Sequence, residues 1–445
     1  MEKSLKKSPA KFTKKEWAYI FYDWAESAFT VVFATFIFPG LYAYLSTEGG
    51  GGLTNDQSSI LYQVIISTIS IIIAISSPIL GTLSDYRGTK NRFFKLFFYV
   101  GIFSSVLIPL YPYFPWWLVL IPFAIAYLAY NATNVFYDSF IVDVTSDERM
   151  DNVSTTAYAF GYLGGSTIPL VIGIAFIMLL PDPIDLQLTF LVTTLWWFVF
   201  SLPFLRHVKQ VHGIEPEKNP VKQSFSRLFS TFKEAKKYRK VFLFLIAFFL
   251  YIDGVHTIIS QAVPFAVNAI PDVTGENVND VLLPIFLMIQ IAAFIFALLF
   301  AKLAKRFKTE HLLLVTIGVY AFISLFGFFI NNVTMFTILG LLVATSQGAI
   351  QSLSRSYFGK IIPKEKANEF FGLYTVFSRV AAFMGPAIIA LVSSLVLIIN
   401  DTTEIVDPNF PGAMRYGILA LIVLFFVGGF LFNRARKIPI TYLDK

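Results

Sequence analysis

Two pairs of ionisable residues stand inside otherwise apolar stretches: Asp23 with Glu26, and Asp253 with His256, the second pair 230 positions after the first. A spacing of three puts both members of a pair on one face of a helix. Ionisable groups in an apolar helix are costly, and they face a cavity or pair with one another. The carboxylates have the chemistry to bind a proton, a cation or the amine of a solute. A histidine beside an aspartate titrates near neutral pH, as a proton-coupling residue must. Arg379 is a lone cation in a further apolar stretch, and its guanidinium can hold a carboxylate in two hydrogen bonds. Asn131, Asn134, Gln261, Gln347 and Gln351 add uncharged donors and acceptors.

Each of these residues also has an architectural reading. Asp23 and Glu26 can pair with Lys14, Lys15 or a neighbouring helix, His256 can be satisfied at a helix interface, and Arg379 can pair with Asp23, Glu26 or Asp253. The amides can bond helix to helix. The four residues Asp23, Glu26, Asp253 and His256 also have the ligand types of a divalent transition-metal site, provided that they converge.

The elements that must position these residues follow from composition. Of 445 residues 56% are hydrophobic and 14% charged, and the mean hydropathy of +0.67 excludes a string of soluble domains. Twelve spanning helices of about 20 residues each use about 240 residues, which agrees in scale with the apolar content. Runs long enough to span fall at 17–44, 58–83, 92–112, 115–138, 153–180, 186–205, 240–268, 280–304, 311–331, 333–357, 370–399 and 414–433. The first run is too long for a signal-peptide core, and the Lys-rich start ahead of it predicts a retained first helix. The absence of cysteine excludes disulfides, thiolate nucleophiles and Cys-ligated metal centres.

The net charge of +7 could suggest nucleic acid, and the placement of the basic residues decides against it. With the N-terminus inside, 33 of the 35 Lys and Arg fall in inner segments and adjoining helix ends, leaving only Arg379 and Arg415. The outer loops carry Asp and Glu but no Lys or Arg, which predicts both termini in the cytoplasm and an even number of spans.

The chain also repeats itself. A slide of 217 positions lays Asp138-Ser139-Phe140 on Arg355-Ser356-Tyr357, Glu148-Arg149 on Glu365-Lys366 and Pro169 on Pro386. A slide of 230 lays Asp23 on Asp253 and Glu26 on His256. Two six-helix halves, 1–205 and 241–445, are therefore expected around a central site. The segment between them, 206–240, is a basic linker that ends in an amphipathic surface helix from Arg227 to Lys240.

Gly81-Thr82-Leu83-Ser84-Asp85-Tyr86-Arg87-Gly88-Thr89-Lys90, between the second and third spans, resembles the signature loop of the major facilitator superfamily. The segments Tyr22 to Phe29, Gly161 to Gly165, Asp253-Gly254 and Ser346 to Ser356 are similar to its vacuole-effluxer-like branch, named for an autophagy-related vacuolar amino-acid exporter. The resemblance covers nearly the whole chain. Glu26 stands where the branch more often has Asn, and Ala349 and Ser352 replace smaller Gly and Ala. What the resemblance implies is an all-α integral membrane protein with twelve spans, working by secondary transport.

Asp85, Arg87, Lys90 and Arg92 in the short inner loop look like a gate latch, with a fixed carboxylate beside cations that exchange partners as the halves rock. Gly81 and Gly88 shape that loop. The second-half counterpart has Lys305 in place of the Asp, which predicts a weaker latch there. Asp138 and Arg355, equivalent in the repeat and opposite in charge, are a candidate pair across the halves. Gly161 and Gly165 read as close helix packing. No Walker motif or nucleophile elbow occurs, so no ATP, cofactor or enzymatic activity is expected.

The expectation is a transporter, monomeric in the lipid bilayer, that moves a small polar solute by alternating access. Amino acids come first by resemblance, and proton coupling is a hypothesis. The alternatives are a divalent-metal exporter and a non-transporting membrane receptor or scaffold. The membrane would be the cell membrane in a prokaryote and the vacuolar membrane in a eukaryote.

Overall fold

The computed structural model describes residues 11–47, 49–215, 230, 237–270, 273, 278–403 and 412–440. These form α1 (Lys14–Ser46), α2 (Asn55–Ser84), α3 (Thr89–Tyr113), α4 (Leu120–Ser139), α5 (Asp147–Leu179), α6 (Ile184–His207), α7 (Arg239–Ser260), α8 (Val278–Leu303), α9 (Thr309–Phe328), α10 (Val333–Ile361), α11 (Ala367–Thr403) and α12 (Met414–Ala435). Among the described residues, eleven helices are long and apolar enough to cross a membrane. The remaining one, α4, is 20 residues long and carries Asn131, Asn134 and Asp138, which lower its mean hydropathy. It completes the expected twelve. Large apolar side chains such as Ile75, Phe103, Leu391 and Phe426 project from the bundle. In water they would form a patch that soluble proteins avoid, whereas in lipid they are the natural exterior.

Local chemistry explains the helix ends. Thr13 and Glu16 form a reciprocal capping box at the start of α1, and Thr54 and Gln57 repeat it at the start of α2. Gly88 precedes α3 in the left-handed region, φ +79°, which favours glycine. One expectation fails. The run 240–268 is not one helix, because α7 stops at Ser260 and a separate short helix covers Ala262–Ala269. Pro264 cannot donate the backbone hydrogen bond that would carry α7 onward.

The helices pack as two sets that touch along α2 with α11 and along α5 with α8 and α10. Gly161, Gly164 and Gly165 of α5 bring that helix against Asp23, Trp24 and Ser27 of α1, where a Cβ on any of the three would collide. Arg415, fully buried, donates to the carbonyls of Phe328 and Ala269 at 2.9 and 3.3 Å and so caps two helix ends at one pole of the bundle. The opposite pole, here the basic end, carries the starts of α1, α5 and α11, the α2–α3 loop and the end of α12. The predicted amphipathic helix, Arg227 to Lys240, lies outside the described residues apart from Ser230 and its last four residues, 237–240.

Candidate functional site

A cavity of about 510 Å³ lies between the two sets of helices. It is lined from α1 by Asp23 and Glu26, from α4 by Asn131, Asn134 and Asp138, from α7 by His256, from α10 by Gln347, Gln351 and Arg355, and from α11 by Arg379. Ten of the residues singled out from the sequence therefore share one wall. Asp253 and Gln261 do not line it.

The two carboxylates of α1 have different surroundings. Glu26 accepts hydrogen bonds from the Tyr130 hydroxyl, which is very close, and from Asn134 Nδ2 and Ser27 Oγ, both at 3.3 Å. All three donors are neutral. Asp23 accepts from the Tyr137 hydroxyl at 2.9 Å and lies 3.5 Å from the Arg355 guanidinium. Neither carboxylate pairs with Lys14 or Lys15, which corrects that reading. Glu16 at the start of α1 pairs instead with Arg149 of α5 at 2.7 Å.

Arg355 closes the cavity on the side of the basic end. It bonds Asp138 at 3.1 Å and Ser154 Oγ at 3.0 Å, and its guanidinium faces the rings of Tyr158, Tyr137 and Tyr19 at 4.6, 5.2 and 5.4 Å. Tyr130 and Tyr137 were not singled out from the sequence, although both lie on the α4 face marked by Asn134 and Asp138, at helical spacing from them.

The other half contributes His256 and Arg379. Among the described residues no carboxylate lies within ion-pair distance of Arg379, which corrects the expectation of a partner in Asp23, Glu26 or Asp253. Asp253 turns away from the cavity toward α11 and accepts the Gly385 backbone N–H at 2.9 Å. Three residues along a helix are about 60° short of a full turn, enough to send His256 into the cavity and Asp253 into the neighbouring helix. Gln261 sits at the break after α7. Asp23, Glu26, Asp253 and His256 thus do not converge, and among the described residues no three His, Asp or Glu are arranged to hold a metal ion.

At the basic end the latch differs from the expected one. Among the described residues no ion pair joins Asp85 to Arg87, Lys90 or Arg92. Its carboxylate accepts the backbone N–H groups of Asn368 and Glu369 at 2.8 and 3.0 Å, capping the start of α11 in the other half. A Cβ on Gly81 would fall 2.3 Å from the Asn368 carbonyl oxygen, so only glycine permits this approach. Lys90, fully buried, pairs with Asp143 at 2.7 Å, and Arg87 pairs with Glu215 at 2.5 Å on the surface.

Residues 208–215 lie against this loop. Gln210 Oε1 accepts the Gly88 N–H at 2.9 Å, Asp143 Oδ1 accepts the N–H groups of Val211 and His212 at 2.8 Å, and Tyr86 bridges Ile214. The sequence marks this stretch as the start of a basic, polar linker, and nothing in that pattern points to these contacts.

At the counterpart position the contacts are made by a different acceptor. Asp151 of α5 accepts from Ser356 and Thr309 at 2.6 Å and from Lys360 at 2.5 Å. The acceptor has moved from the loop to the helix. Ser139 donates to Asn368 in a very close contact, and this pair maps onto Ser356 and Asp151 by the same 217-residue slide.

The fold and the family are both recognisable by comparison. Residues 12–434 match the family described as "Vacuole effluxer Atg22 like". The chain is 38% identical over 425 residues to an "Uncharacterized MFS-type transporter YxiO" of Bacillus subtilis, covering 94% of each. It is 25% identical over 268 residues to Autophagy-related protein 22 of Yarrowia lipolytica, spanning 54% of this chain and 45% of that relative. The solved structure of the major facilitator transporter FucP in the outward conformation superposes with a TM-score of 0.65 at 13% identity, over 95% of this chain and 98% of that one. A bacterial homologue of the iron transporter ferroportin superposes with a TM-score of 0.63 at 13% identity, over 96% and 99%. At such identities these structures speak for the fold alone. The chain belongs to the Atg22-like vacuole-effluxer family: it is a multi-pass membrane transporter of the major facilitator superfamily, and not an enzyme.

Proposed function

We propose that the chain moves a small polar solute by alternating access between two halves, 1–205 and 241–445, joined by the linker 206–240, with amino acids as the first substrate class and protons as the coupling ion. One observation carries the reading. Among the described residues, the cavity presents a carboxylate with only neutral hydrogen-bond partners, Glu26, from one half, and a cation with no carboxylate in ion-pair distance, Arg379, from the other. An amino acid offers the complement to both. The Oδ1 atoms of Asn131 and Asn134 are buried without a partner and suit the N–H donors of an ammonium group. A cavity of about 510 Å³ is of the size that holds small ligands.

In this reading Glu26 exchanges the proton, and the contacts of Asp85 and Asp151 hold the basic end shut in one of two alternating arrangements. The basic end faces the cytoplasm by its charge. The protein works as a monomer in the cell membrane of a prokaryote or the vacuolar membrane of a eukaryote. Metal export is disfavoured because Asp253 turns away from the cavity that Asp23, Glu26 and His256 line, and among the described residues no three His, Asp or Glu are arranged to hold a metal ion.

The test is uptake and counterflow in proteoliposomes with pooled labelled amino acids, sugars and divalent metals. Amino-acid counterflow that Arg379→Ala weakens supports the reading. Flux of a sugar or a metal alone would overturn the substrate class, and binding without flux of anything would favour a receptor.

A further inference from the structure

Asp253 is completely buried, and one of its oxygens, Oδ2, has no hydrogen-bond partner. The Thr257 hydroxyl, one helical turn on, is buried to 1% exposure and has no partner either. Both face the same point of α11. A Cβ on Gly385 would fall 1.9 Å from Thr257 Oγ1 and 3.1 Å from Asp253 Oδ1. Pro386 follows inside the same helix. It has no N–H, so the Ala382 carbonyl four residues earlier loses its usual helical donor. A buried carboxylate and a buried hydroxyl therefore meet against Gly385, just before the proline of α11, and among the described residues the Gly385 N–H is the donor to the carboxylate.

The repeat explains why no cation is supplied by the protein. Asp23, the counterpart of Asp253, lies beside Arg355. The position equivalent to Arg355 in the other half is Asp138, so the repeat offers Asp253 a second acid instead of a base. Among the described residues Asp253 forms no ion pair. A buried charge in that condition needs a counter-charge or a proton.

We propose that Asp253 and Thr257, against Gly385 and Pro386 of α11, form a binding site for a monovalent cation, with sodium as the ion. Oxygen donors suit hard cations. One carboxylate balances one positive charge, whereas a divalent ion would leave excess charge in an apolar interior. The site is distinct from the solute cavity, because neither residue lines it while His256, between them, does. It is placed to matter for transport. The same helix, α11, also carries Arg379 into the cavity and has its N-terminus capped by Asp85. An ion held between α7 and α11 is therefore linked to the posture of α11, and solute binding is linked to the ion in return.

The experiment is thermal unfolding of the purified full-length protein in detergent, with sodium chloride titrated against choline chloride at constant ionic strength. Sodium should raise Tm in a saturable way, because a ligand that binds only the folded state stabilises it. Asp253→Asn should abolish the sodium response. Thr257→Val should weaken the apparent sodium affinity about tenfold, the scale of one lost ligand interaction, yet be no less stable than wild type in choline, since it removes an unsatisfied hydroxyl. Equal Tm in sodium and choline for the wild type would overturn the proposal, as would a sodium response kept by Asp253→Asn. If Asp253→Asn does not fold, an unchanged sodium affinity in Thr257→Val overturns it. A wild type that responds to acidification but not to sodium shows a protonated Asp253, which also overturns the site. The readout needs no transport, so its outcome is separate from that of the uptake assay.

Discussion

Asp138 and Arg355 occupy equivalent positions in the two halves, 217 residues apart, and they bond each other at 3.1 Å. Asp147 and Lys364, separated by the same 217 residues, pair at 2.7 Å. A residue that touches its own counterpart must lie at the pseudo-twofold axis relating the halves. A symmetric repeat would set like charge against like there. The sequence has instead diverged to opposite charges at both positions, which turns repulsion into a lock.

Removing the centre of that lock should be severe. Arg355→Met leaves the buried Asp23 and the half-buried Asp138 without their cation, and breaking a buried pair such as that of Asp23 costs about 3–5 kcal/mol. Asp138→Asn should cost less, because Asp23 and Ser154 still engage the guanidinium. Thermal unfolding of the two variants checks the order, and an Arg355→Met as stable as wild type would remove the lock from the account.

Asp85→Asn should favour opening of the basic end. Hydrogen bonds to a charged group contribute about 1.5–3 kcal/mol, so weakening the cap on Asn368 and Glu369 should shift the balance of conformations by about tenfold or more. The chain has no native cysteine, and Ser378 of α11 also lines the cavity, so a Ser378→Cys reporter there gives a clean signal. Labelling from the basic side should quicken while equilibrium solute affinity stays near wild type. A large loss of affinity with unchanged labelling would contradict a role in gating.

Glu26→Gln should abolish accumulation driven by a pH gradient and retain counterflow, since exchange does not require release of the proton. Arg379→Ala should instead weaken solute binding by about tenfold to a hundredfold, the scale of one charge-assisted pair. Proteoliposome assays of both kinds separate the two roles. Gradient-driven uptake at the wild-type rate in Glu26→Gln would take this residue out of coupling.

Topology can be checked with single cysteines at Gly50, Glu215 and Ile405. The charge distribution expects Gly50→Cys and Ile405→Cys to label from outside the cell or vesicle interior, according to the host membrane, and Glu215→Cys only from the cytoplasm. Labelling of position 215 on the same side as 50 would invert the assignment.

Much of this protein is one-dimensional information. Hydropathy marked the spans, the distribution of Lys and Arg gave the two poles different chemistry, and the slide of 217 exposed the repeat, because each depends only on which residues follow which. The polar residues of α1, α4 and α10 were also legible, since isolated polar groups in apolar helices stand out. The rotation of each helix and the choice of its partner were not. Asp253 and His256 share a face loosely enough for packing to send one into the cavity and the other against Gly385. Asp85 looked like a partner for nearby cations and instead caps a helix 283 residues away. Tyr130 reaches Glu26 across 104 positions. Such contacts arise from close packing between helices, and a buried polar group takes whichever partner that packing brings within about 3 Å.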